Sequence, residues 1–271
     1  MTTFRTHALG QMSWTEAKEA SESNPVVLLP IGAVEQHGPH LPLHEDSIVA
    51  DWVAHRVGEQ TGALVAPALN YGHSPMFRGY TGNLSLSAET LRAATTDIIG
   101  ALVDSGFRRI VLINNNGGNV GPVSSAAYDA HRDRGVLLGH LYPWSLGYSL
   151  MRDVYDDPGK VYGHGAEPEH SAMLAMFPDQ VQSERIESGG LSGFDGWTPS
   201  SYSDAAIPGH DISGTVYWDF SAVSPSGVTG DVHAADVRTG EVWIERVVGF
   251  CCDFVREYDR NTRRADWAQA S

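Results

Sequence analysis

Continuous apolar runs alternate with helix-spaced apolar residues along the first half of the chain. Val26-Val27-Leu28-Leu29-Pro30-Ile31-Gly32 is apolar throughout, the pattern of a strand covered on both faces. Leu64-Val65-Ala66-Pro67-Ala68-Leu69 and Arg109-Ile110-Val111-Leu112-Ile113 repeat it, and Gly135 to Tyr142 reads as a further strand. Between these runs the spacing predicts helices. The first covers 13–22, with Ser13 as N-cap and Glu16 as its capping-box partner. The next, Ser47 to Thr61, carries Ile48, Trp52, Val53 and Val57; then comes Ser87 to Ser105, lined by Leu91, Ile98, Leu102 and Val103, and another over 120–132. Such alternation predicts an α/β chain, a three-layer α/β/α arrangement around a mostly parallel sheet. In a parallel sheet the loops 35–46, 70–83 and 114–119, each following a strand, leave one edge together and can form one composite site.

From residue 144 the pattern is less regular. Ala172 to Phe177 predicts a helix that ends before Pro178. Residues 188–230 are rich in Gly, Ser, Asp and Pro but carry Phe194, Trp197, Tyr202, Tyr217, Trp218 and Phe220. Disordered segments are poor in aromatics, so this stretch reads as an ordered excursion across the site's edge or a subunit contact. Gly240 to about Arg264 predicts a final helix with Val242, Ile244, Val247, Val248, Phe250 and Val255 turned inward. With no repeat and no linker-like tract, residues 1–271 are read as one domain.

Composition narrows the classes. The formal charge is -15, from 33 acids against 18 bases, which argues against a nucleic-acid partner and leaves a small-molecule substrate. No apolar run reaches the length of a membrane span, and the first residues lack the features of a signal peptide. Adjacent Cys251 and Cys252 suit neither a disulfide nor a zinc knot, and are expected buried and reduced, in a cytoplasmic setting.

The chemistry concentrates in two places. Glu35-Gln36-His37-Gly38-Pro39-His40-Leu41-Pro42-Leu43-His44-Glu45-Asp46 packs three histidines and three carboxylates directly after the first strand. Imidazole and carboxylate together are the ligands of zinc, iron and manganese. Tyr162 to Ser171 holds a second set, His164, Glu167, Glu169 and His170. Gly117 and Gly118 let backbone approach the site and expose N–H groups at a helix start, where they could hold an oxyanion or carboxylate. No dinucleotide fingerprint and no Gly-x-Ser-x-Gly elbow is present.

Leu29 to Leu43, with Asp46, resembles the signature of the creatininase (creatinine amidohydrolase) family. Tyr71 to Ser74 with Gly82 to Ser87, Asn114 to Asn119, His164 to Ser171, and Ser226 to Asp231 resemble further family segments in the same order. The resemblance implies an α/β/α fold, frequent assembly into homo-oligomers such as hexamers, and one or two divalent metal ions (zinc, iron or manganese). It implies hydrolysis of C–N bonds in small amides such as cyclic amides and formamides, or the reverse, dehydrative formation of such a bond. One relative activity is on the end of a modified peptide. Carried over, Glu35 and Asp46 would bind one metal and His37 and Asp46 the other, with Asp46 bridging. Ser74 would sit at the substrate. Glu169 would be a ligand or an acid/base group, with Glu167 as second choice, and His170 and His164 are candidates for proton transfer.

Two departures stand against this pattern. Asn116 occupies the place of a metal-binding histidine, and an amide oxygen is a much poorer ligand than imidazole. Phe77 stands where many relatives have a histidine. Three outcomes are open: a single metal held by His37, Asp46 and Glu169; substitution by His44, Glu45, His73 or His164; or a non-hydrolytic member, a lyase, isomerase or binding protein, with a reduced or absent metal site.

Overall fold

A computed structural model describes residues 5–264. It begins with α1 (Trp14–Glu22), whose capping box is made by Ser13 and Glu16 as the sequence predicts. Strand β1 (Val26–Ile31) and helix α2 (Glu45–Thr61) follow. Next come β2 (Leu64–Val65), α3 (Ala88–Asp104), β3 (Arg109–Asn114), α4 (Val120–Arg134) and β4 (Leu138–Leu141). The four strands form one parallel sheet in the order β2-β1-β3-β4.

Strand alternation builds the layers. Val27, Leu29 and Ile31 of β1, with Ile110 and Leu112 of β3, pack into a core shared with Ala20, Ile99, Leu102, Val123 and Ala126. Val26 and Leu28, with Val111 and Ile113, face the opposite core with Val49, Val53, Trp144, Trp243 and Val247. Successive side chains of a strand point to opposite faces, so the unbroken apolar runs Val26–Ile31 of β1 and 110–113 of β3 are what a sheet covered on both sides requires.

Several boundaries differ from the sequence reading. Helix α2 starts at Glu45, so Asp46 lies in its first turn rather than in the preceding loop. The run 64–69 makes only a two-residue strand plus an isolated bridge from Leu69 to Ile31, because Pro67 has no N–H to give the ladder. Gly135 is the left-handed cap of α4 (φ 62°), not part of β4. Two helices, α5 (Pro143–Leu150) and α6 (Pro158–Val161), were not predicted, and α7 (Glu169–Met176) begins before the expected 172. The aromatic segment folds into a small antiparallel sheet, β5 (Thr198–Pro199), β6 (Asp204–Ala206) and β7 (Ser213–Thr215). The chain closes with α8 (Val237–Arg264), in which Phe250 is 43% exposed rather than inward, and Trp243 is the fully buried anchor. Among the described residues, no helix is long and apolar enough to cross a membrane.

Candidate active site

The loops after β1, β2, β3 and β4 do converge, around a cavity of about 310 Å³ at one edge of the sheet. Its wall includes Glu35 and His37 from the first, with Asp46 from the turn of α2 that follows it, Ser74 and Phe77 from the second, and Asn116, Gly117 and Gly118 from the third. Tyr142, Trp144 and Tyr148 follow β4, and His164, Glu169 and Tyr202 complete it. No lysine or arginine is among the lining residues.

Asp46 is fixed from both sides: Trp144 Nε1 donates to its Oδ1 (3.0 Å) and Asn116 Nδ2 to its Oδ2 (3.0 Å). The same Asn116 amide donates to Glu35 Oε2. Its own oxygen accepts from the Asn119 backbone N–H (3.1 Å), which caps the turn leading into α4. The amide orientation follows from its partners, since a carboxylate can only accept and a backbone N–H can only donate. Asn116 therefore turns no oxygen toward the carboxylates; it bridges them with hydrogens.

The oxygens that Asn116 leaves are the ones facing His37. His37 Nε2 lies 3.6 Å from Asp46 Oδ1 and 4.0 Å from Glu35 Oε1. The Nε2 of His164 meets the Gln36 carbonyl, so that nitrogen carries the proton and Nδ1 keeps the free lone pair, 3.9 Å from Glu169 Oε2. Glu35, His37 and His164 each present a donor atom within 4.8 Å of the others. Phe77 stacks on the His164 ring at 4.7 Å, filling the space beside it with an apolar face.

Glu169 accepts from Gly165 N (2.7 Å) and Tyr148 OH (3.3 Å). Burial, opposed by His37, pushes its carboxyl up to about 7. Burial and the neighbouring Asp46 charge push Glu35 up to about 8. Burial alone would lower His37, but the carboxylates of Glu45 and Asp46 outweigh it and hold it well above its ordinary value. His164 is pushed well below, by burial and by His37, and stays neutral.

Other candidates lie elsewhere. His170 does not line the cavity; its Nδ1 pairs with Val232 O (3.1 Å) and its ring packs edge-on against His40. Glu167 holds the Ser171 N–H and hydroxyl and the Tyr155 hydroxyl, a structural duty at the start of α7. His44 is exposed, and His73 reaches the wall but ties its Nδ1 to Leu86 O. Ser74 is buried on the wall, with its hydroxyl 3.3 Å from Asn83 Oδ1. The wall aromatics Tyr142, Trp144 and Tyr148 were missed, though their position just after a predicted strand was the signal that could have found them. Tyr202 reaches the wall from the aromatic-bearing segment 188–230, which the sequence reading places across the site's edge or at a subunit contact.

A family model described as Creatinine amidohydrolase matches residues 10–255. The chain is 28% identical to the creatinine amidohydrolase of Pseudomonas putida, over 92% of this chain and 96% of that one. It is 30% identical to the mycofactocin precursor peptide peptidase of Mycolicibacterium smegmatis, over 88% and 87% of the two chains. A solved structure titled "Creatininase Mn" superposes with a TM-score of 0.76 at 26% identity, over 93% of this chain and 98% of that one. Sequence and fold agree over almost the whole length, and the chain belongs to the creatininase family.

Proposed function

We propose that this protein is a metal-dependent amidohydrolase that cleaves a C–N bond in a small cyclic amide, formamide or similar metabolite, using one divalent ion. The observation that carries this reading is the pooling of buried acid in the cavity wall. Glu35, Asp46 and Glu169 are each at most 5% exposed, and no basic side chain except histidine lines the cavity with them. Three buried carboxylates beside a single charged imidazole, His37, exceed what one imidazolium can neutralise, and the excess needs a proton or a metal ion. The donor set fits an ion: Glu35, His37 and His164 each present an oxygen or imidazole donor within 4.8 Å of the others, and Asp46 Oδ1 lies 3.6 Å from His37 Nε2 at the edge of that group. Zinc, iron and manganese suit such a set. A bound ion would supply Lewis acidity toward an amide carbonyl and toward an attacking water.

The remaining chemistry falls to the chain's own groups. Glu169, with a carboxyl near neutrality, takes a proton at its carboxylate and hands it to the leaving nitrogen. The Gly117 and Gly118 backbone at the cavity wall offers N–H groups toward a carbonyl oxygen gaining charge. Ser74 and the rings of Phe77 and Tyr202 bound the space where a small, flat substrate would sit, in a cavity near the low end of ligand pockets, roughly 300–1,000 Å³. Buried, unpaired Cys251 and Cys252 suit a reducing, cytoplasmic setting. The reverse, dehydrative direction uses the same groups.

Purified protein should hydrolyse at least one member of a panel of lactams, cyclic ureides and formamides. Chelation should abolish the turnover and zinc or manganese should restore it, and His37→Ala should lose metal and activity together. Turnover indifferent to chelator would refute the metal reading. A second reading, a non-hydrolytic member, is favoured by Asn116 alone, and protein purified free of metal would support it.

A further inference from the structure

Glu45 is the carboxylate of this region that the reaction above leaves unused. Its side chain is fully buried at the first turn of α2, and neither of its oxygens has a hydrogen-bond partner. His37 Nδ1 is likewise without a partner. These two orphaned groups face each other, with Nδ1 3.6 Å from Glu45 Oε2. The opposite ring nitrogen, Nε2, is the one directed at Asp46 and Glu35.

We propose that Glu45 is the positioning residue for His37: it accepts the Nδ1–H and thereby presents the Nε2 lone pair to the metal. This rests on the metal-dependent reading above. Consecutive helical residues diverge by about 100° at 3.6 residues per turn, so α2 directs Asp46 into the cavity and Glu45 behind the imidazole. Glu45 is absent from the cavity wall, which makes it unsuited to replace the missing histidine ligand. A carboxylate behind a ligating histidine fixes both tautomer and ring orientation and makes the ligand nitrogen more basic. One bond pairs His37 Nδ1 with one of the two unpartnered Glu45 oxygens, and a small closure of the gap is all it needs.

The full-length protein tests this with zinc alone as probe. Nitrogen-15 NMR of histidine-labelled, zinc-loaded wild type should show the His37 proton on Nδ1 and the metal on Nε2. Chelator competition should show zinc binding weakened about 10-fold by Glu45→Gln and toward about 100-fold by Glu45→Leu. Melting of the metal-free Gln variant checks that its fold is intact. Binding within twofold of wild type in both variants would overturn the proposal, as would zinc on Nδ1 of wild type. Should the Leu variant fail to fold, the wild-type tautomer and the Gln variant still decide. A wild type that binds no zinc sinks the metal reading as well, whereas equal binding by wild type and variants sinks only the role of Glu45.

Discussion

At Asn116 a single side chain bears on how much metal the proposed site could take. Its amide hydrogens lie between Glu35 Oε2 and Asp46 Oδ2, where a first ion would need those oxygens. Replacing it by histidine removes the bridge and returns an imidazole donor. Asn116→His should therefore raise the bound metal by about one ion per chain, read by elemental analysis of protein purified without chelator. An unchanged ratio would mean that the first site has been rebuilt beyond this one position. Glu35, His37 and Asp46 were legible in the sequence because one short segment carries them, and backbone continuity alone brings them together. His164 was one of four candidate substitutes in the sequence, but what singles it out was not legible. Its tautomer is set by the Gln36 carbonyl, 128 residues away in the chain, and its stacking partner Phe77 comes from a third segment. Nor could the residue type of Asn116 reveal which end of its amide faces the acids, because that depends on the Asn119 N–H that its oxygen caps.

At the scale of elements, the turn between β3 and α4 carries Asn116, Gly117 and Gly118 into the cavity, and its path leaves no room for a side chain at Gly118. A Cβ there would meet the His73 carbonyl oxygen at 1.8 Å, a backbone atom of the neighbouring loop. Three residues on, inside α4, a Cβ at Gly121 would meet nothing within 4 Å. The two glycines therefore predict opposite responses to alanine. Gly118→Ala should destabilise by about 3 kcal/mol or more, the upper end for overpacking, and disturb the metal site with it. Gly121→Ala should stabilise by up to about 1 kcal/mol through helix propensity. Urea midpoints of the two variants check this, and a tolerated Gly118→Ala would show that the two loops are not in close contact. Elements with a strong local pattern, β1, β3, α3 and α8, could be read from the sequence because their periodicity is set by burial. Strands β5, β6 and β7 could not, since two or three residues give no period to detect. The start of α2 was missed because Glu45 and Asp46, buried for the site, look like the polar end of a loop.

At the scale of the whole molecule, the chain concentrates acid in its interior while also carrying a formal charge of -15. Burial and Asp46 push Glu35 to about 8, and burial pushes Glu169 to about 7, against an ordinary 4.5 for both. His37, under the carboxylates of Glu45 and Asp46, is also held well above its ordinary 6.5. The opposing group, His164, is depressed by burial and by His37, and its stabilising contribution is present above 6.5 and lost below it. Between about pH 6.5, below which His164 opposes the trend, and about 8 the metal-free folded chain thus holds protons that the unfolded chain has already released. Folded-state values raised above the unfolded ones give stability that is present at low pH and lost as pH climbs through them. The melting temperature of chelated protein should fall across this window. With saturating zinc or manganese the decline should flatten, because the ion takes the place of the protons among the carboxylates. Melting curves at half-unit pH intervals, with and without metal, measure it. A metal-free stability that is level or rising from about pH 6.5 to about 8 would mean that the buried carboxylates are compensated by something other than protons, and the cavity's need for a cation would lose its physical basis.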